Sequence, residues 1–196
     1  MAITLNIFYI LIAYLIGSFS PAYTFTYLVK KTDIRKLGDK NPGTLNTSKI
    51  LGMKWGIAVG IIDVGKGFLL TLLPFVFKMP DAVDVAILAG IAVVVGHSFP
   101  IYYKFKGGMG IASTIGVLGV ICWRETIWVL IIWFALLILI ILSKKKRKKG
   151  IAQFIAFLFL FPFELLYHEN IHIFIGSLVL LIYFYIRRYA LKKTIF

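Results

Sequence analysis

The chain has 196 residues, 60% of them hydrophobic and only 15% charged, with 22 Lys and Arg against 8 Asp and Glu for a formal net charge of +14. A soluble domain of this size cannot bury so much apolar surface (mean hydropathy +0.92), so lipid is the solvent for most of it. The positive charge therefore reads as membrane topology and as attraction to anionic lipid or phosphate, not as a nucleic-acid surface. A backbone in lipid must close its hydrogen bonds internally, as helices or as a closed barrel. The apolar runs here are continuous and do not alternate over about ten residues, which selects an all-α polytopic membrane fold.

Seven spans are expected in chain order: 3–29, 51–77, 82–99, 111–123, 126–142, 151–167 and 171–186. The first has no basic residue ahead of it and runs for a full crossing, so it reads as a transmembrane helix and not as a cleaved signal. It carries Gly17-Ser-Phe-Ser-Pro21. The proline removes one helix hydrogen bond, and the small residues suit close helix packing. The second span holds Asp63 and Lys66, three apart and so on one helical face. Charges inside a membrane face a bundle interior, here as a structural ion pair or as the polar wall of a cleft. The third span carries His97 at its cytoplasmic end. The fourth is short for a crossing of about 20 residues; it is either a thin crossing or a re-entrant segment, and in the second case all that follows inverts. Cys122 is the one cysteine and reads as a small core hydrophobe.

Charge orients this set. With the N-terminus outside, nineteen of the 22 Lys and Arg fall in segments 30–54, 101–110, 143–150 and 187–196, all on the inner side. Inner loops carry the cations, so the count supports seven crossings with a cytoplasmic C-terminus. The run at 144–149 reads as a stop signal and an anionic-lipid anchor.

Two inner loops carry features beyond topology. The first reads Asp33-Ile-Arg-Lys-Leu-Gly-Asp-Lys-Asn-Pro-Gly-Thr-Leu-Asn-Thr47. Its glycines let backbone N–H groups curl around an anion, its asparagines add donors, and Arg35, Lys36, Lys40 and Lys49 add charge. An ordinary polar connector is the plainer alternative. The second loop, 96–110, contains His97, Lys106, Gly107, Gly108 and Gly110 just ahead of an apolar helix. Backbone donors at a helix start suit phosphate, with Lys106 as counter-charge. A lone histidine at a helix end is more often structural.

Taken together, these segments resemble the small bacterial membrane glycerol-3-phosphate acyltransferases that take their acyl group from acyl phosphate. The resemblance rests on five motifs in order. They are the glycine-serine stretch at 17–21, Asp33-Ile-Arg-Lys-x-Gly-x-x-Asn-x-Gly-x-x-Asn46, Asp63-x-x-Lys-Gly67, Gly96-His-x-Phe-Pro100, and Lys104-Phe-Lys-Gly-Gly-x-Gly-x-Ala-x-x-x-Gly116. They lie within the first 120 residues or so of a single transmembrane domain, 1–196, whose helices over 121–196 diverge. The resemblance implies seven helices, an outside N-terminus, and a plasma-membrane enzyme working on the cytoplasmic face without a cofactor or metal. It implies acyl transfer from acyl phosphate to glycerol 3-phosphate, or to another anionic acceptor, giving lysophosphatidic acid. By the same resemblance Asn41, Gly43, Asn46 and Lys49 would cradle one phosphate, Lys106, Gly107 and Gly108 would hold the other, and Arg35 would also bind substrate phosphate. His97 would orient or deprotonate the acceptor hydroxyl, with Lys49 and Asn46 assisting catalysis, while Asp63 and Lys66 would be structural. Asp39 and Met109 stand where the family carries serine and lysine, and Lys49 where it carries arginine. Those departures motivate a second expectation, a non-catalytic homologue that binds a phosphate-bearing lipid or supports a partner membrane protein.

Overall fold

The computed structural model describes residues 2–142 together with Ile175, Val179, Ile182, Tyr183 and Ile186. All regular structure among them is helical. The order is α1 (Ala2–Ser18), α2 (Pro21–Lys30), α3 (Thr44–Leu51), α4 (Met53–Val76), α5 (Ala82–Ser98), α6 (Ile111–Ile121) and α7 (Trp123–Leu142), with short 3-10 turns at Ile34–Lys36 and Ile101–Tyr103. The chain forms two compact units, Met1–Val120 and Ile121–Phe196. The expected span at 151–167, most of that at 171–186 and the basic run at 144–149 lie outside the described residues.

Three helical stretches among the described residues are long and apolar enough to cross a membrane: Ile3–Lys30, Met53–Val76 and Ala82–Tyr103. They match the first three expected spans. Large apolar side chains point outward along them, including Phe8, Ile61, Leu69 and Leu88, as lipid-facing surfaces do. The fourth apolar helix, α6, has 11 residues. At 1.5 Å per residue it is about 16 Å long, roughly half of a hydrocarbon core of about 30 Å.

Lipid gives no hydrophobic drive between helices, so the first unit packs through small residues that let backbones touch. A methyl group on Gly17 would sit 2.5 Å from the Val93 carbonyl oxygen, and one on Gly96 would sit 2.3 Å from that of Tyr14. These two glycines seat α1 against α5. Gly67 against Ser113 and Gly116 against Val64, both at 2.1 Å, do the same for α4 and α6. Around them Ala13, Leu70, Ala89 and Val93 form one buried apolar cluster, and Ala22, Ile34 and Val59 another.

Two prolines shape the helices. Pro21 has no N–H to give the Gly17 carbonyl one turn back, and the first span breaks there. Ser20 caps the new helix, its hydroxyl accepting from the Tyr23 N–H at 3.3 Å. That cap also diverts the donor that Phe19 would have had. Both stranded carbonyls, Gly17 and Phe19, accept instead from Lys66 Nζ of α4 at 3.0 Å each. Pro74 strands the Leu70 carbonyl of α4 in the same way, and the Tyr9 hydroxyl of α1 donates to it. Each of these two helices thus completes the backbone of the other.

The loop expected over 30–54 holds a helix. α3 runs from Gly43 as its N-cap residue to Gly52, whose φ of +101° is a left-handed conformation open to glycine. The chain then doubles back, laying α3 along the first turns of α4. Gly56 packs under Ser48 and Gly60 under Thr44.

Candidate active site

The two loops singled out from the sequence meet at His97. This residue ends α5 and is buried. After it the chain turns through Pro100 and comes back, and the returning glycines close on the turn they left. The Gly107 N–H donates to the Ser98 carbonyl at 3.1 Å, and the Gly108 N–H to the His97 carbonyl at 3.2 Å. A side chain at 107 would clash with the His97 carbonyl oxygen at 2.1 Å. One at 108 would lie 2.3 Å from Nε2 of His97 and 3.1 Å from the Pro42 carbonyl oxygen. Gly108 is therefore where the first loop, the second loop and the imidazole edge converge. The N–H groups of Gly107 and Gly108, expected from sequence to face phosphate, are used inside this clasp.

Beneath the imidazole lies the charged pair of α4. Lys66 Nζ stands 2.9 Å from Asp63 Oδ1 and 3.1 Å from His97 Nδ1, and Asp63 Oδ1 stands 3.3 Å from the same Nδ1. Sequence spacing indicated that Asp63 and Lys66 share a face. It carried no sign that His97, thirty-one residues further on, completes the cluster.

The remaining sequence-selected residues divide into braces and exposed cations. Asn46 is 1% exposed. Its amide donates to the Leu37 carbonyl at 3.0 Å, and its oxygen accepts from the Asp39 N–H at 2.8 Å. Gly38, at φ +53°, leaves room for that oxygen. Both ends of the side chain expected to act in catalysis thus hold the turn at 37–39. Arg35 is engaged in the same way. It forks onto the Asp33 carboxylate, with NH2 to Oδ2 at 2.6 Å, and its NH1 donates to the carbonyls of Tyr103 and Lys106 at 2.8 and 3.1 Å. It also lies over the Tyr23 ring. Arg35 thereby ties the first loop to the second directly at Lys106. Burial pushes the Asp33 carboxyl up, but the Arg35 hydrogen bonds and charge outweigh it and hold the group below its ordinary value. Those same hydrogen bonds raise the Arg35 guanidinium above its own.

Lys36, Lys40, Lys49, Lys104 and Lys106 are exposed around this junction. Lys49 is paired with Asp39, so the charge of that acid is matched. Asn41 has a buried side-chain oxygen with no hydrogen-bond partner among the described residues, and its amide nitrogen lies beside Gly43. Met109 is half-buried. Among the described residues, no three His, Cys, Asp or Glu side chains gather as a metal site would need.

Chemically, this is a cationic rim around a histidine edge, above a buried acid–ammonium pair. It suits substrates that carry phosphate. The family model described as glycerol-3-phosphate acyltransferase matches residues 7–195. A glycerol-3-phosphate acyltransferase of Shouchella clausii is 43% identical over 108 residues, 55% of this chain and 53% of the relative. One of Enterococcus faecalis is 41% identical over 109 residues, 56% of this chain and 49% of the relative. The chain thus spans about half the length of these curated relatives. Among solved structures, the crystal structure of PlsY (YgiH), an integral membrane glycerol 3-phosphate acyltransferase, in its glycerol 3-phosphate form matches with a TM-score of 0.83 at 26% identity. That match covers 97% of this chain and 92% of the other.

Proposed function

This chain belongs to the glycerol-3-phosphate acyltransferase family, and from that premise we propose that it transfers an acyl chain from acyl phosphate to the hydroxyl of glycerol 3-phosphate. The ester bond forms as the acyl carbon–oxygen bond to phosphate breaks. Phosphate leaves with the electron pair, and the hydroxyl proton goes to it or to solvent. The products are lysophosphatidic acid and inorganic phosphate. Acyl phosphate is already activated, so the protein's contribution is to hold two anionic molecules in register and to stabilise charge on the group that departs.

The convergence of Gly108, Pro42 and His97 carries this reading, because it places one polar edge between the two cationic loops. Lys106 and Lys49, with Asn41 and the Gly43 turn, contact the phosphates. Gly107 and Gly108 shape the floor. Asn46 and Arg35 act by bracing the loops, and His97 faces the reacting groups. The family match favours this enzyme over the non-catalytic homologue. The charge distribution further supports seven crossings, an outside N-terminus and a site on the cytoplasmic face of the plasma membrane.

The test is the purified protein in detergent or nanodiscs with palmitoyl phosphate and radiolabelled glycerol 3-phosphate. Labelled lysophosphatidic acid is the expected product, and its formation should fall at least 100-fold in His97→Met. Absence of product from folded protein, with this donor and with shorter acyl phosphates, overturns the reading.

A further inference from the structure

We infer that Lys66 holds His97 in the tautomer whose proton is on Nε2, so that His97 presents a hydrogen-bond donor to the junction of the two loops and does not act there as a base. The inference deepens the proposed function, since it assigns a role at the same site.

A proton count leads to it, because a tautomer is assigned from its partners. An ammonium has three protons and no lone pair. Lys66 Nζ lies 3.0 Å from the Gly17 carbonyl, 3.0 Å from the Phe19 carbonyl and 3.1 Å from His97 Nδ1. The two carbonyls have no helical donors, one because of Pro21 and the other because of the Ser20 cap. In a buried site each requires a proton, and Lys66 supplies both. Its third proton is aimed at Nδ1. A ring nitrogen that accepts a hydrogen bond carries no proton, so the neutral imidazole has its proton on Nε2.

Asp63 could have reversed this by drawing a proton onto Nδ1. Its Oδ1 is 3.3 Å from Nδ1 but 2.9 Å from Nζ, so it sits closer to the ammonium than to the ring. It acts as a countercharge that keeps the ammonium in place. Asp63 and Lys66 are therefore positioning residues for His97.

Nε2 has no hydrogen-bond partner among the described residues. It faces the place where Gly108 and the Pro42 carbonyl meet, so a substrate entering between the loops meets an N–H. That group stabilises an anionic oxygen, either on phosphate or on the acyl carbonyl as it gains charge. It cannot accept the proton of the acceptor hydroxyl.

Full-length protein with 15N-labelled histidine, in nanodiscs and without substrate, tests this directly. His97 signals are identified by their loss in His97→Gln. The expected result at neutral pH is a protonated, pyrrole-type Nε2 and a pyridine-type Nδ1. A proton on Nδ1, or on both nitrogens, overturns the inference. In Lys66→Met the proton should move toward Nδ1, where Asp63 can accept it. Asp63→Asn/Lys66→Met, which leaves no buried charge, should lose the single fixed tautomer. An unchanged Nε2–H in a folded variant of either kind overturns the role of Lys66. These signals do not depend on acyl transfer, so failure of the proposed reaction and failure of this assignment are separable. Where transfer is measured, His97→Gln keeps an amide donor and should stay at least tenfold more active than His97→Met. Equal loss in the two overturns the donor role.

Discussion

Two lysine–aspartate pairs in this chain have the same chemistry and opposite surroundings. In Asp63–Lys66 the side chains are 1% and 5% exposed; in Asp39–Lys49 they are 53% and 59% exposed. The first pair lies inside a spanning helix, where an unmatched charge is costly and both members are held by further contacts. The second lies in water at the rim, where salt and solvent weaken the attraction and either partner can leave. Position, more than the ion pair itself, separates a structural element from an adjustable one. The Asp33–Arg35 pair, at 18% and 23%, stands between them.

The sharpest way to break this contrast is Lys66→Met. It leaves Asp63 buried without its ammonium and strands the Gly17 and Phe19 carbonyls, so stability should fall by about 3–5 kcal/mol. Reversible unfolding in mixed micelles reads the change, and a loss below about 1 kcal/mol would erase the distinction between the pairs. Asp33→Asn should have an intermediate effect, about 1.5–3 kcal/mol at neutral pH, because it removes a charged acceptor from Arg35. The Asp33 carboxyl is held below its ordinary value of 3.8 in the folded protein. Its stabilisation is therefore complete above that value and is lost as the pH falls through the lowered one. The gap between wild type and Asp33→Asn should close in the same order, and a gap that persists at acid pH would remove the charge argument. Asp39→Asn should change stability least, by under about 1 kcal/mol. Its effect should instead be kinetic, because Lys49 is freed for an anionic substrate. The KM for glycerol 3-phosphate should fall a few-fold, with the difference shrinking in high salt. An unchanged KM would place Lys49 away from the substrate.

Much of the fold was readable because lipid imposes a length on apolar runs. The three long spans lie where hydropathy puts them, and the Gly17 stretch packs as small residues do. α3 was not readable. Eight mostly polar residues between two glycines give no apolar stripe, and Leu45 is largely exposed. The site was half readable. Residue type pointed to His97, Lys106 and the asparagines, and spacing joined Asp63 to Lys66. Hydrogen-bond direction cannot be read from residue type, however. Asn46 and Arg35 have the donors that phosphate binding wants, but the fold turns those donors inward. The approach of His97 to the α4 pair is a contact across thirty-one residues, which no local period encodes.

The exchange between α1 and α4 has a consequence for how this protein is made. The earlier of the two segments carries two carbonyls whose donor, Lys66, is synthesised some fifty residues later. α4 in turn carries the Leu70 carbonyl, which needs the Tyr9 hydroxyl already in the bilayer. The earlier segment therefore lacks its donor when it is inserted, whereas the later one finds its donor in place. The break in the earlier segment is closed only when the later one packs against it, so its backbone is completed by tertiary folding. A truncated product ending before residue 66 would present a faulty first helix to the quality-control machinery of the cell.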